Sequence, residues 1–340
     1  MSVKAPSLKD VAGRAGVSVT TVSRLLNGSL DLPRETKARI EDAIRALDYQ
    51  PNPHARRLSM GKSDTIGLVV PDIANPYIST FAAAVEQAAD EARLAVSLQV
   101  TLNRAGREIE YLQLIARNHV DGLIVVTNHP DDGTLAELIA KTGKVIVVDE
   151  DIPGSKVPKL YSDNEQGGFL VGRHLGENGH KHVIFVGGHE KMISTRRRCA
   201  GLLRGLKETQ GDLVHVERYV GEYTIRYGRE AAARFLAEKT GATAIFASSD
   251  EIAIGMMEVF LPAGVSIPGD VSMVGFDDVG PLHLFSTPLT AIRQPVRSMG
   301  KRALELLVQT NWQDWVPSES EELLPVELIV RNSVAPPPSR

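Results

Sequence analysis

A single cysteine, Cys199, among 340 residues excludes an internal disulfide and any zinc site built on a cysteine pair. No run approaches eighteen apolar residues, so no segment reads as a membrane span. The start, Met1-Ser2-Val3-Lys4-Ala5-Pro6, lacks the apolar stretch of a secretory leader, and a cytoplasmic location is expected. Enzyme signatures are missing as well. No Gly-x-Gly-x-x-Gly follows a strand, no Gly-Lys-Ser/Thr closes a phosphate loop, and there is no Gly-x-Ser-x-Gly elbow. His180, His182 and His189 flank one strand without a cysteine or an acidic partner at ligand spacing. The expectation is therefore a chain that is not an enzyme and uses neither cofactor nor metal.

What is present is a soluble globular composition, 43% hydrophobic and 24% charged, long enough for two or three packed units. Charge is unevenly spread. Residues 1–62 carry 11 Lys/Arg against 6 Asp/Glu, whereas the whole chain has a net charge of −4. A basic head on an acidic body suggests a module that binds a polyanion.

The head reads as short helices. Leu8, Val11, Ala12 and Ala15 fall at helical spacing and Gly16 ends that segment. Ser18 stands at the N-cap of a second helix carrying Val22, Leu25 and Leu26, and a third begins near Pro33 with Ile40, Ala43, Ile44 and Leu47 on one stripe. From residue 64 the pattern becomes βαβ. Buried strands are expected at 66–70, 96–100, 123–126 and 145–148, then at 183–187, 214–220, 244–247 and 271–276, with amphipathic helices between them. A break after Leu160-Tyr161-Ser162-Asp163 divides these into two groups of four. The fold class is α/β: two doubly wound parallel-sheet lobes with a small all-α head. Ligands of such sheets sit beyond the carboxyl ends of the strands. That rule selects Asp72, Tyr77 and Asp149 in the first lobe, and Arg196, Tyr223, Ser249 and Asp277 in the second. Within Arg196-Arg197-Arg198, which a solvated charge run also fits, the sequence alone does not say which residue points inward, and the spacing to Ala200-Gly201 favours Arg196. Gly167-Gly168 and Gly172, inside a helical pattern, point to close helix packing. Pro262 should kink its helix or end it early.

Two short helices meeting at Ala15-Gly16, with Val17 beneath the turn, have the spacing of a helix-turn-helix. The second helix suits the major groove, where Val19, Thr20 and Arg24 would reach base edges; a plain helical hairpin with a solvated Ser/Thr face has the same spacing. The run Leu8-Lys9-Asp10-Val11-Ala12, Ala15-Gly16-Val17-Ser18, Thr21-Val22-Ser23-Arg24 and Leu26-Asn27 resembles the N-terminal signature of the lac repressor/gal repressor family of transcription regulators. The likeness continues through Tyr49-Gln50-Pro51-Asn52, Ile66 to Ile73, Asn75-Pro76-Tyr77, Val120 to Ile124 and Ser272 to Asp278.

The resemblance implies a homodimer whose paired heads read a pseudo-palindromic operator in double-stranded DNA. Val19 and Thr20 would choose bases, Arg24 would reach a base edge, Ser18, Thr21, Ser23 and Asn27 would hold the backbone, and Tyr49 would add a phosphate contact. The segment from Asn52 to Met60 would be a hinge helix ordered on DNA, with Leu58 as a wedge in the minor groove. The body would resemble a periplasmic binding protein and hold a small polar effector, a sugar or sugar derivative, between its lobes. Tyr77, Asp149, Arg196, Tyr223, Ser249 and Asp277 match the family's ligand-contacting positions, and Asp72 and Glu251 lie beside them. The expected domains are a head at 1–51, a hinge and linker at 52–63, and a body at 64–340. Within the body the first lobe takes 64–162 and 293–320, and the second 163–290 and 322–333. The tail after Val330 has no heptads, so no tetramerising coiled coil is expected. The rival readings keep the DNA head and change the regulator to a protein partner or a non-sugar metabolite, or make the body a solute-binding protein or an enzyme.

Overall fold

The computed structural model describes residues 6–26, 30–49, 63–115, 120–312, 314 and 320–338. Asn27, Asn52 and Leu58 lie outside the described residues. The chain divides into two compact units, Met1–Asp64 and Thr65–Arg340.

Among the described residues three helices form in the first unit, each for a local reason. Helix α1 (Leu8–Ala15) opens on a capping box in which Asp10 accepts the Ser7 amide hydrogen at 2.8 Å. It stops at Gly16, whose φ of +67° is left-handed. Helix α2 (Val19–Leu26) is capped by Ser18, whose hydroxyl accepts the Thr21 amide hydrogen at 3.0 Å. Helix α3 (Arg34–Ala46) begins directly after Pro33. Their apolar stripes meet in a core of Val11, Ala12, Ala15, Val22, Ile40 and Ala43, with Val17 and Leu47 against it.

The second unit is a pair of α/β lobes, each with a six-stranded sheet. The first sheet holds β1 (Thr65–Val70), β2 (Ala95–Val100), β3 (Leu123–Val126), β4 (Val145–Val148), β5 (Pro158–Ser162) and β11 (Ser320–Leu324). Its order is β11-β5-β4-β3-β1-β2, parallel throughout. Helices α4 (Pro76–Glu91), α5 (Ala105–Ile115), α6 (Thr134–Thr142) and α11 (Val296–Gln309) accompany it. The second sheet holds β6 (His182–Gly187), β7 (His215–Val220), β8 (Ala244–Ala247), β9 (Ser272–Asp277), β10 (Thr290–Arg293) and β12 (Glu327–Ile329). Its order is β12-β10-β9-β8-β6-β7, with β12 antiparallel to β10. Helices α7 (Asn164–Glu177), α8 (Ile193–Gln210), α9 (Ile225–Glu238) and α10 (Asp250–Phe260) accompany that one. Alternate residues of each central strand feed opposite cores: Ile66, Leu68 and Val70 enter one, and Val69 the other. Burial on both faces explains why these strands are continuous Val/Ile runs.

Among the described residues there are four strands beyond the expected eight. β5 runs up to the expected break after Asp163, where the pattern reveals no strand, and is buried along its length between β4 and β11. Its Lys159 is buried because the ammonium donates to Asp151 at 2.6 Å. β10, β11 and β12 are short or polar, and β11 and β12 lie at sheet edges. Residues 322–324, assigned by sequence to the second lobe, belong to β11 in the first sheet, because the last crossing comes only after Leu324. Three crossings therefore join the lobes, after β5, β10 and β11. Helix α10 does finish at Phe260, before Pro262.

Candidate functional site

In the head, α2 buries Val22 and turns Val19, Thr20 and Arg24 outward; Val19 is 42% exposed. An apolar side chain held in water on a helix bearing hydroxyls and an arginine suits a groove wall carrying both methyl groups and base edges. Thr21 and Ser23 are half-buried beside it, and the Ser18 hydroxyl is engaged in capping, 2.8 Å from the Thr21 hydroxyl. Tyr49 packs half-buried on the head core.

In the body, a cleft of about 320 Å³ lies between the lobes, built from residues just past the carboxyl ends of strands. Seven of the eight expected effector residues line it: Asp72, Tyr77, Asp149, Tyr223, Ser249, Glu251 and Asp277. The eighth does not. Arg196 is exposed on α8, and the arginine that faces the cleft is Arg198, which is 4% exposed. The cause is helical phase. The inward face of α8 carries Ser194, Thr195, Arg198, Gly201 and Leu202, and a residue two places from Arg198 points roughly 200° away.

Arg198 is held on every side. Its Nε donates to Asn164 Oδ1 at 2.7 Å and its Nη1 to the Ser248 carbonyl at 2.6 Å. The guanidinium lies 3.8 Å from the Phe276 ring centroid, and Nη1 is 4.0 Å from Asp277 Oδ1. Asp277 also accepts from Gln294 Nε2 at 2.7 Å and from the Asp250 amide at 3.1 Å. Burial and the neighbouring Asp250 carboxylate push the Asp277 carboxyl upward, against the pull of Arg198. Its neighbour Asp278 faces elsewhere, binding Arg293 at 2.8 Å and Arg331 at 2.7 Å, so it anchors β10 and the tail.

On the opposite wall Tyr77 donates its hydroxyl hydrogen to Asp149 Oδ1 at 2.7 Å, and burial raises both groups. Asp149 and Asp277 each sit at positive φ, +74° and +97°. Left-handed backbone at non-glycine residues costs of order 1–3 kcal/mol and is retained where the surroundings over-determine it, as at a ligand clamp. The Tyr223 hydroxyl meets those of Ser194 and Thr195 at 3.0 and 2.9 Å. A Cβ on Gly188 would fall 2.4 Å from the Tyr223 ring, so glycine there lets the ring seat. Ser249 caps α10, accepting the Ile252 amide hydrogen at 3.2 Å.

Sequence reasoning placed Arg198 behind Arg196 and missed Glu150, Thr127, Asn128 and Gln294, which also line the cleft. Thr127 and Asn128 directly follow β3 and Glu150 follows Asp149, so the strand-end rule reaches them if applied to every strand. Gln294 follows β10, which the pattern does not reveal. Glu150 bridges the lobes: its Oε2 accepts the Ile193 amide hydrogen at the start of α8, at 2.9 Å.

Burial raises Glu150 and Glu251 to about 7, the former aided by Asp149 and the latter by Asp72 and Asp277. A carboxyl raised in the folded state binds its proton more tightly there than in the unfolded chain. Its contribution is complete below pH 4.5 and is lost as pH rises through 7. For Glu150 the swing is on the order of 3 kcal/mol. Glu150→Gln, which cannot ionise, should flatten the fall in denaturant stability between pH 5 and 8; parallel profiles for the two proteins would contradict this.

Comparisons with known proteins match both units of the chain. Residues 7–52 match the family model of bacterial regulatory proteins, lacI family, and residues 173–334 match a periplasmic binding protein-like domain. The chain is 32% identical to the HTH-type transcriptional repressor PurR of Mannheimia succiniciproducens, over 96% of this chain and 98% of that one. It resembles the lac repressor dimer bound to operator and the anti-inducer ONPF, with a TM-score of 0.82, 28% identity and coverage of 98% and 100%. A lacI-family regulator of Enterococcus faecium with bound ribose matches with a TM-score of 0.69, 29% identity and coverage of 80% and 99%. Among the described residues no helix is long and apolar enough to cross a membrane. With a helix-turn-helix head, two parallel-sheet lobes around an effector cleft, and repressors rather than enzymes as its relatives, the chain belongs to the lacI family of bacterial regulatory proteins and is a DNA-binding transcriptional repressor with an effector-binding domain.

Proposed function

We propose that this repressor acts as a homodimer on a pseudo-palindromic operator and that a monosaccharide-sized sugar or sugar derivative sets its operator affinity. The observation that carries the ligand class is the lining: Asp72, Asp149, Glu150, Glu251 and Asp277 stand with one buried arginine, Arg198, while the exposed Arg226 is paired with Glu222 and Glu230. Such a wall offers acceptors and, where burial keeps carboxyls such as Glu150, Glu251 and Asp277 protonated, donors at many fixed angles, which matches a neutral molecule bearing several hydroxyls. The volume stands at the lower end of the ~300–1,000 Å³ usual for small-molecule sites, which favours one ring over two. The ribose held by the Enterococcus relative is in keeping with that size. Asp72, Tyr77, Asp149, Tyr223, Ser249, Glu251 and Asp277 are the proposed contacts, with Arg198 in place of Arg196. A ligand that prefers one lobe geometry changes operator affinity by the ratio of its affinities for the two states.

The test of the ligand class is a thermal-shift series on the full-length protein with pentoses, hexoses, sugar acids and nucleobases. A specific ligand at a hundred times its Kd stabilises by about 2.7 kcal/mol. A shift with nucleobases or sugar acids and none with neutral sugars would overturn the reading. In the head, Val19, Thr20 and Arg24 are proposed to read bases, and Ser18, Thr21, Ser23, Asn27, Tyr49 and Asn52 to hold the backbone, with Leu58 as the wedge. Arg24→Ala is then expected to cost about 1–3 kcal/mol on the operator and to relax one base preference. Measured against a scrambled duplex at equal salt, an identical loss on both would assign Arg24 to phosphate instead.

A further inference from the structure

We propose that the second lobe carries a binding site for a divalent transition-metal ion of the zinc class, formed by His182, His215 and Glu217. His182 opens β6 and His215 opens β7, and the parallel register pairs the two residues directly. Alternation then puts Glu217, two residues along β7, on the same face. Glu217 Oε1 is 2.5 Å from His182 Nε2 and 3.8 Å from His215 Nε2, and one ligand atom from each residue lies within 4.8 Å of the others. The imidazole rings stand edge to face, 4.6 Å between centroids.

Two imidazoles and one carboxylate are borderline donors that suit zinc, nickel or cobalt and not magnesium or calcium, which take oxygen. A tetrahedral ion with bonds of about 2.0–2.2 Å spaces its ligands a little over 3 Å apart, so the Glu217–His182 pair must open while His215 draws closer. His215, exposed on the sheet's edge strand, can supply that movement by rotating its ring. Three protein ligands leave the fourth position to water. The site sits at the amino ends of β6 and β7, whereas the effector cleft lies beyond the carboxyl ends, so the two do not share residues. The neighbouring His180 takes no part. It is fully buried, its Nδ1 pairs with Thr243 Oγ1 and its Nε2 with the Ala335 carbonyl, both at 2.9 Å, and burial pushes it down to about 4. The linear sequence, which led to an expectation of no metal, hides the set because 32 residues lie between the two histidines.

The ion would tie the edge strand to its neighbour and stabilise the lobe by mass action. The experiment is calorimetric titration of metal-free full-length protein with zinc chloride in a non-chelating buffer, alongside melting curves with zinc or magnesium. One zinc per chain is expected, with a rise in melting temperature for zinc alone. His215→Ala and Glu217→Gln should each weaken binding at least tenfold and leave the metal-free melting temperature nearly unchanged; His189→Ala should bind as wild type. Absence of stoichiometric binding, or binding that survives both substitutions, would overturn the proposal.

Discussion

Replacing Arg198 by alanine is expected to abolish the effector response and to lower the melting temperature by on the order of 10 °C, whereas Arg196→Ala changes neither measurably. The size follows from what the guanidinium leaves behind. Without it the Ser248 carbonyl and Asn164 Oδ1 lose their donors, and Asp277, 7% exposed, loses the nearest positive charge. Removing one member of a buried pair typically costs about 3–5 kcal/mol, because the partner remains desolvated and uncompensated. Exposed Arg196 has no comparable surroundings, and surface changes stay within roughly 0.5 kcal/mol. Two further variants separate charge from shape. Arg198→Met keeps an unbranched stem over Phe276 and should recover part of the stability without the response. Arg198→Lys keeps the charge but not the planar fork, and should show a weakened response. A normal melting temperature and effector response in Arg198→Ala would remove Arg198 from the site and with it the ligand class argued from the lining.

Much of this architecture can be read in the residues, and the exceptions share a cause. Strands β1, β3, β4 and β8 declare themselves because a parallel strand covered on both faces must be apolar along its length. Strands β5 and β11 do not, since Pro158-Lys159 and Ser320-Glu321-Glu322 are tolerated only where a buried ion pair or a solvated edge receives them. Asp149 and Asp277 are legible because they follow visible strands; Gln294 follows an invisible one. The choice of Arg196 over Arg198 failed on phase alone. The small and apolar residues of α8 repeat at 194, 201, 202 and 205, and helical phase puts position 198 on that stripe and position 196 off it. The His182–His215–Glu217 set depends on strand register, which no local pattern contains.

The second large effect lies in the crossing of α7 with α8, where Gly168→Ala should destabilise the body although alanine is the better helix former. Propensity alone favours alanine by about 1 kcal/mol in a helix interior. Sterics oppose it more strongly. A Cβ at Gly168 would stand 2.1 Å from the Arg198 carbonyl oxygen, and one at Gly172 would stand 2.1 Å from that of Leu202. The relation is reciprocal, with Gly201 at 2.1 Å from the Glu165 oxygen and Gly205 at 2.2 Å from that of Phe169. Both obstacles are backbone, so no side chain can rotate away and the helices must separate. Overpacking costs about 1–3 kcal/mol where side chains can yield, and more is expected where none can. The net loss should be several kcal/mol in denaturant unfolding. Gly106, exposed in α5 with nothing within 4 Å of a built Cβ, is the internal control: Gly106→Ala should be neutral or stabilising. Because the carbonyl that meets Gly168 belongs to Arg198, separation of the helices also displaces the guanidinium from Asn164 and Asp277. Gly168→Ala should therefore weaken effector binding even under conditions where the protein stays folded, while operator binding by the head persists. Equal stability of the Gly168→Ala and Gly106→Ala proteins would show that the crossing has slack, and the helix-borne placement of Arg198 would then need another support.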